Sequence, residues 1–347
     1  GSLIMKRVLL LVVVLMMVGC DSSPTSSSEP ENSSWVFVAN EGDFFGNNGY
    51  VTMIDEFGNQ FDSEVLGDVV QALAVYENKL IVSVNNSQKL IVFDITESGI
   101  SNPQEILTDG MSPRELIVID DKLYFGAWDP DYNVYQTTPG FLKVLSLESF
   151  EIESTIDVGI MPEGLLYNSN YLWVANSGES TVNKIDIYTN SIVETIDVGN
   201  GPQNLVSSNG DIYISRRFYD DNWSEFHGSS KISGDQVTSL TYGSGVICGG
   251  SVLDFNGQVY RSFEGGIAPL QEDLNLNESA RIGSYNQGNV YHVEIIGDHI
   301  WFGLAVLNDS GWLASEPGTV KVIDSNGLEI SSYEVGINPG DFAIWNK

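Results

Sequence analysis

Positive charge is scarce in this sequence. Its 347 residues carry 15 Lys and Arg against 47 Asp and Glu, a formal net charge of −32. Phosphate backbones would be repelled rather than neutralised, which excludes a nucleic-acid partner. A surface of this sign does not dock on anionic lipid either. Cysteine is nearly absent: Cys20 and Cys248 cannot build a disulfide framework, and no Cys/His spacing matches a zinc site. Histidine is limited to His227, His292 and His299, too scattered for a His-rich copper, iron or zinc centre. Apolar residues are not scarce. They make up 42% of the chain, so this is not a disordered acidic segment. The length suits two domains on a simple prior, but all-β folds of this size are often one.

The first residues do not belong to the fold. Met5 reads as the natural start, residues 1–4 being an appended scar or an upstream reading. Lys6 and Arg7 form a positive n-region, and residues 8–18 are an unbroken apolar run too short to span a bilayer comfortably. The run ends in Met17-Val18-Gly19-Cys20. Small residues ahead of a single Cys resemble a bacterial lipoprotein signal, with Met17 in place of the usual Leu. An ordinary secretory peptide or a short anchor helix is the alternative. The resemblance implies a signal over residues 1–19, cleavage before Cys20 and lipidation of that residue. Cleavage would remove two of the 15 basic residues and lower the charge from −32 to −34. Residues 20–34 then read as a lipidated Cys and a tether, since residues 21–34 hold seven Ser in fourteen positions and cannot bury a core. Such an arrangement holds a domain at a membrane, facing the periplasm or the cell surface.

From Trp35 onward short β-branched and aromatic runs alternate with Gly, Asn, Asp and Ser, and no long 3.6-period segment occurs. The runs repeat. Gly159-Ile160-Met161-Pro162 and Gly199-Asn200-Gly201-Pro202 place their prolines 40 residues apart. Gly110-Met111-Ser112-Pro113 lies 49 residues upstream of Pro162, Gly67 to Leu73 fits with Val70 in the proline place, and Gly336-Ile337-Asn338-Pro339 matches again. Two diverged copies are located by their second strands, Gln258-Val259-Tyr260 and His299-Ile300-Trp301. Four strands per unit of 40–50 residues predict propeller blades. Residues 35–40 are a second strand with no first strand before it, and the stretch from Gly336 is a first strand with nothing after it. Joined, they complete one blade and abolish exposed edges. With blades beginning near Gly67, Gly110, Gly159, Gly199, Gly243 and Tyr285, the expectation is an all-β, seven-bladed propeller over residues 35–347.

Residues 171–199 read YLWVANSGESTVNKIDIYTNSIVETIDVG. This resembles the YVTN repeat of bacterial surface-layer and periplasmic seven-bladed propellers, most closely over residues 159–205. The resemblance implies architecture and says little of function, because one fold hosts many.

In such a ring the first strands line a central channel, and the loops between second and third strands share a face with the Gly-x-x-Pro turns. The residue after each proline position is expected at the channel mouth: Gln71, Arg114, Glu163, Gln203, Gly250, Tyr291 and Gly340. A polar ring there would bind a ligand, or only water and turn backbone. The loop of the regular blade is short and begins at Asn176, whereas expanded loops are expected over residues 41–49, 127–140, 216–230, 263–280 and 304–318. They carry Phe44, Phe45, Trp128, Tyr132, Tyr135, Phe218, Tyr219, Trp223 and Trp312. Exposed aromatics beside Asp, Asn and Arg suit sugars or tetrapyrrole-like ligands, or else stiffen the loops. Arg216 and Arg217 are candidates to anchor a carboxylate or phosphate, or to pair with Asp220 or Asp221. No cofactor is identified; Asp129 with Asp131, and Asp220 with Asp221 and Asn222, would supply some oxygens to calcium.

Three functions remain. The first is a non-catalytic module, expected as a monomer, that binds a small molecule or an envelope protein. By architecture it resembles the propeller lipoproteins with which Bacteroidota capture cobalamin. The second is a lactonase-like or quinoprotein-like enzyme, using for instance Glu163 with Arg114 or His292. The third is a scaffold or adhesion protein without a small ligand.

Overall fold

The computed structural model describes residues 32–244, 250–308 and 314–347. Cys20, the signal and most of the tether lie outside them, as do Cys248 and Trp312. Asn32 to Lys347 forms one compact unit. Asn32 and Ser33, at the end of the expected tether, are bonded to it: Ser33 donates from N and Oγ to Glu56, and Asn32 Oδ1 accepts from the Glu56 amide.

The unit is a seven-bladed β-propeller. Blade 1 is composite, built from Ser34–Asn40, Tyr50–Asp55, Gln60–Asp62 and the last strand, Pro339–Asn346, which occupies its innermost place. The inner strands of blades 2 to 7 are Val70–Tyr76, Ser112–Ile119, Pro162–Asn168, Pro202–Ser208, Val252–Phe255 and Val290–Ile296. Each inner strand touches the next around the ring, and the last touches Pro339–Asn346. In blade 1, Trp35 pairs with Trp345, and both are buried. The Trp35 indole donates to the Thr96 carbonyl and the Trp345 indole to Asn78 Oδ1, which ties the closing strands to blade 2.

Among the described residues the core is not one mass but seven clusters, each wedged between adjacent blades. Phe37, Val70, Leu80 and Phe93 join blades 1 and 2, and Val38, Trp301, Val320 and Phe342 join blades 7 and 1. Each such side chain contributes about 1.5–3 kcal/mol on burial. The seam between blades 5 and 6 has the smallest apolar cluster, Val259, Leu270 and Leu274, and instead buries Arg261, which donates to the Gly228 and Arg216 carbonyls of blade 5.

Blade 6 departs from the expected plan. Its third strand, Gly266–Pro269, follows Gln258–Phe263 through a tight turn, so residues 263–280 are not an expanded second-to-third loop. The long segment comes after the third strand and bridges back through Ile267 to Ile282 in the place of a fourth. The 216–230 stretch is also mostly strand: Asp211–Tyr219 and Glu225–Ser233 form a long hairpin whose loop spans residues 220–224 only. Alternation continues through its polar residues, with Arg216 turned in and Arg217 out, which the charges had disguised. The 127–140 stretch holds a single helical turn, Tyr132–Tyr135, capped by Asp131.

Candidate functional site

The mouth of the channel is produced by a recurring backbone irregularity. In blades 2, 3, 4, 5 and 7 the pairing of first and second strands slips just after the proline position: between Val70 and Ala72, Pro113 and Leu116, Pro162 and Leu165, Pro202 and Asn204, and Val290 and His292. A bulge leaves extra residues out of the ladder and re-aims their side chains. The freed residues include Gln71, Arg114, Glu163, Gln203 and Tyr291.

Those residues form two networks. Arg114 sits between neighbours: its Nη1 donates to Gln71 Oε1 at 3.0 Å, while Nε and Nη2 donate to the two Glu163 oxygens at 3.1 and 2.7 Å. Its guanidinium lies 4.0 Å above the Trp128 ring, whose indole donates to the Pro162 carbonyl at 2.8 Å. Arg114 is thus fixed from below by an aromatic face and from the side by a carboxylate. Tyr291 donates its hydroxyl to Glu41 Oε2 at 2.6 Å. Burial lifts the Glu41 carboxyl to about 7, against the opposing effects of the Tyr291 hydrogen bond and the Arg114 charge. Burial, then the neighbouring Glu41, holds the Tyr291 phenol well above its usual range.

To one side of this mouth a cavity of about 510 Å³ opens between blades 3, 4 and 5. Arg114, Trp128, Glu163, Gln203, Arg217, Tyr219 and Trp223 all line it, together with Gln136, Ser177, Glu179 and Asn200. Trp223, at the tip of the blade 5 hairpin, is 77% exposed, and Tyr219 is 42% exposed 6.3 Å from it. Neither packs into a core, so they form an open aromatic shelf. Both arginines of the cavity are already neutralised. Arg114 is held by Glu163; Arg217 bonds Glu225 and, at 2.9 Å, the Tyr219 hydroxyl. His227 and Arg217 together pull the Glu225 carboxyl down to about 2.

The other expected site residues lie elsewhere. Asn176 is fully buried: its Oδ1 accepts the Gly159 amide at 3.1 Å and its Nδ2 donates to Thr181 and Asn183 at 3.0 and 2.8 Å. It braces its own blade. Arg216 points into blade 5, where it donates to the Asn200 and Leu240 carbonyls and to Thr241 Oγ1. Burial lowers its pKa. Tyr132 stands exposed beside Tyr135, and Gln71 and Tyr291 belong to the mouth rather than the cavity. The Gly250 carbonyl accepts from Ser215 Oγ. Of the acids weighed for calcium, three hold turns: Asp129 Oδ1 accepts the Asp131 amide, Asp131 Oδ1 that of Asn133, and Asp220 Oδ1 those of Asn222 and Ser224.

One residue further into the channel lies a tier that the sequence reading did not assemble. Glu115 of blade 3, His292 and Glu294 of blade 7 and Asp341 of blade 1 face one another. His292 Nε2 is 3.1 Å from Glu294 Oε2 and 3.7 Å from Asp341 Oδ1. Asp341 Oδ2 accepts the Leu73 amide at 2.7 Å. Burial, reinforced by the Glu294 charge, raises the Asp341 carboxyl well above its usual range. Burial, then Asp341 and Glu163, does the same for Glu115. The signal in the sequence was His292-x-Glu294 on a strand, where residues two apart share a face.

No family model and no curated protein sequence matches this chain. Solved structures do. A candidate 6-phosphogluconolactonase from Bacteroides fragilis is 12% identical with a TM-score of 0.61, over 92% of this chain and 99% of that one. A hypothetical selenium-binding protein from Sulfolobus tokodaii is 10% identical with a TM-score of 0.62, over 89% and 92%. Apo AztD from Citrobacter koseri is 10% identical with a TM-score of 0.51, over 90% and 98%. At these identities the likeness is one of fold.

Proposed function

We propose that the chain is a non-catalytic binding module of the cell envelope, anchored through a lipidated Cys20, whose ligand is a small uncharged molecule of the carbohydrate type. The observation that carries this reading is the cavity between blades 3, 4 and 5. Its volume of about 510 Å³ falls within the range of roughly 300–1,000 Å³ that small-molecule sites occupy. Tyr219 and Trp223 offer flat faces to CH-rich surfaces, and Gln203, Ser177, Asn200 and Glu179 offer hydrogen bonds at the rim. An anionic ligand is disfavoured twice over, by the net charge of −32 and by the prior pairing of Arg114 and Arg217 with carboxylates. The anchor rests on the lipoprotein-like signal, and metabolic labelling with an alkyne fatty acid, lost in Cys20→Ser, tests it.

Ligand identity is tested by thermal-shift and calorimetric titration with neutral oligosaccharides, their phosphorylated counterparts and corrinoids. A neutral saccharide that raises Tm in the parent protein and not in Trp223→Ala supports the proposal. A preference for corrinoid would move the ligand class, and no shift from any compound at millimolar concentration would sink small-ligand capture.

A further inference from the structure

The inner tier of the channel is chemically different from the cavity and independent of it. We propose that His292, Glu294 and Asp341 form a binding site for one divalent transition-metal ion, of the zinc class, inside the central channel.

The argument is geometric. His292 and Glu294 alternate along Val290–Ile296 and so project from the same face of one strand. Asp341 comes from the adjoining inner strand, Pro339–Asn346. One donor atom from each of the three lies within 4.8 Å of the other two. Ligands bonded to a tetrahedral zinc at about 2.0–2.1 Å stand about 3.3 Å apart. The observed separations of 3.1 and 3.7 Å from His292 Nε2 lie on either side of that edge length. On these two edges an ion asks for shifts of a few tenths of an ångström, and the third, between Glu294 and Asp341, is within 4.8 Å and closes by carboxylate rotation.

The supporting shell is already built. The Leu73 amide holds Asp341 Oδ2 and leaves Oδ1 turned to the imidazole. Phe342 packs edge-on against the His292 ring at 5.1 Å, fixing its plane. Glu115, whose carboxyl has no hydrogen bond or ion pair among the described residues, approaches the same groups from blade 3. One imidazole with carboxylates selects against calcium, which takes oxygen ligands in greater number, and in favour of Zn²⁺ over Mn²⁺. The three ligands leave a fourth position for water. A simple imidazolium–carboxylate ion pair is the competing account of the same distances.

Calorimetric titration of the purified chain with ZnCl₂, MnCl₂ and CaCl₂ distinguishes the two. The expected result is one equivalent of Zn²⁺, bound more tightly than Mn²⁺ and Mn²⁺ more tightly than Ca²⁺. Affinity should fall by about tenfold or more in Glu294→Gln and in Asp341→Asn, whose amide oxygen still accepts the Leu73 N–H. Metal-free unfolding of both variants, followed by circular dichroism, controls for folding. Absence of saturable binding overturns the proposal. So does Zn²⁺ affinity that is equal in the parent and both variants, which would assign the metal to surface acids.

Discussion

Arg114 of blade 3 grips Glu163 of blade 4 with two parallel hydrogen bonds, at 3.1 and 2.7 Å, across the seam between neighbouring inner strands. The pair does two things at once. It staples the mouth of the channel, and it fixes the charge at the wall of the cavity.

Removing one partner leaves the other charge half-buried and alone. Arg114→Ala and Glu163→Gln should each lower stability by about 2 kcal/mol, less than for a fully buried pair because both side chains retain some solvent contact. Arg114→Lys should restore less than half of the loss, since an ammonium can neither fork onto the carboxylate nor lie flat on Trp128. Urea unfolding of the two single variants and the double variant checks this; strictly additive effects would mean that the two side chains do not act as a pair.

Glu41 sets a pH dependence of known sign. Its carboxyl titrates near 7 in the folded chain, against a usual value of 4.5. The folded state therefore binds more protons between these values, and stability falls as pH rises from about 4.5 to about 7. Glu41→Gln should be near neutral at pH 5 and should raise Tm at pH 8, by an amount equivalent to roughly 1–3 kcal/mol. Thermal melts of both proteins across that range provide the comparison. A variant less stable at pH 8 than at pH 5, relative to the parent, contradicts the assignment.

Trp223→Ala separates binding from folding. The side chain is 77% exposed, so Tm should change by no more than about 0.5 kcal/mol equivalent. Ligand affinity should fall about 30-fold, the scale of losing a central aromatic contact. Calorimetry against the best saccharide found in the screen reads the second quantity.

Asn176→Ala is the converse. Deleting its amide removes three hydrogen bonds inside blade 4, while the Gly159 N–H keeps Asn183 Oδ1 as its acceptor, so the loss should be about 1–2 kcal/mol. Affinity measured well below the melting temperature should stay within about threefold of the parent, because the residue contributes no atom to the cavity. A large affinity loss at full folding would return Asn176 to the site.

Much of the ring was legible because four blades announce themselves twice, by Pro at the start of the inner strand and a buried apolar run in the second, and the others by the second strand. Pro162 and Pro202, with Leu172-Trp173-Val174 behind them, set the repeat to which Pro113, Val70 and Pro339 were then matched, and residues 258–260 and 299–301 located the two diverged blades. Register in turn located Gln71, Arg114, Glu163, Gln203 and Tyr291 at the mouth, since a bulge after the proline position frees the same residue each time. What was lost was lost to hairpins and to distance. The segment from Arg216 to Tyr219 carries charge where strands usually carry β-branched residues, so it read as loop, and Arg216 was set outside the blade that buries it. Blade 6 lacks the proline and a regular outer strand, and residues 263–280 were accordingly given to the wrong connection. His292 and Asp341 are neighbours only because the chain's last strand closes beside blade 7, a contact that no local pattern records.

The pairing of Trp35 with Trp345 has a consequence for how the molecule is made. A chain synthesised from its N-terminus delivers the first strand of this pair early and the second only after the other six blades. Until Pro339–Asn346 arrives, blade 1 has no inner strand and the ring no closure. Six blades' worth of polypeptide must wait with an open seam, and the longest loop in the protein is closed at the end. A premature stop just short of Pro339 would therefore not trim one strand but leave the whole circle unsealed, an unfinished product that proteases could recognise by its exposed edge.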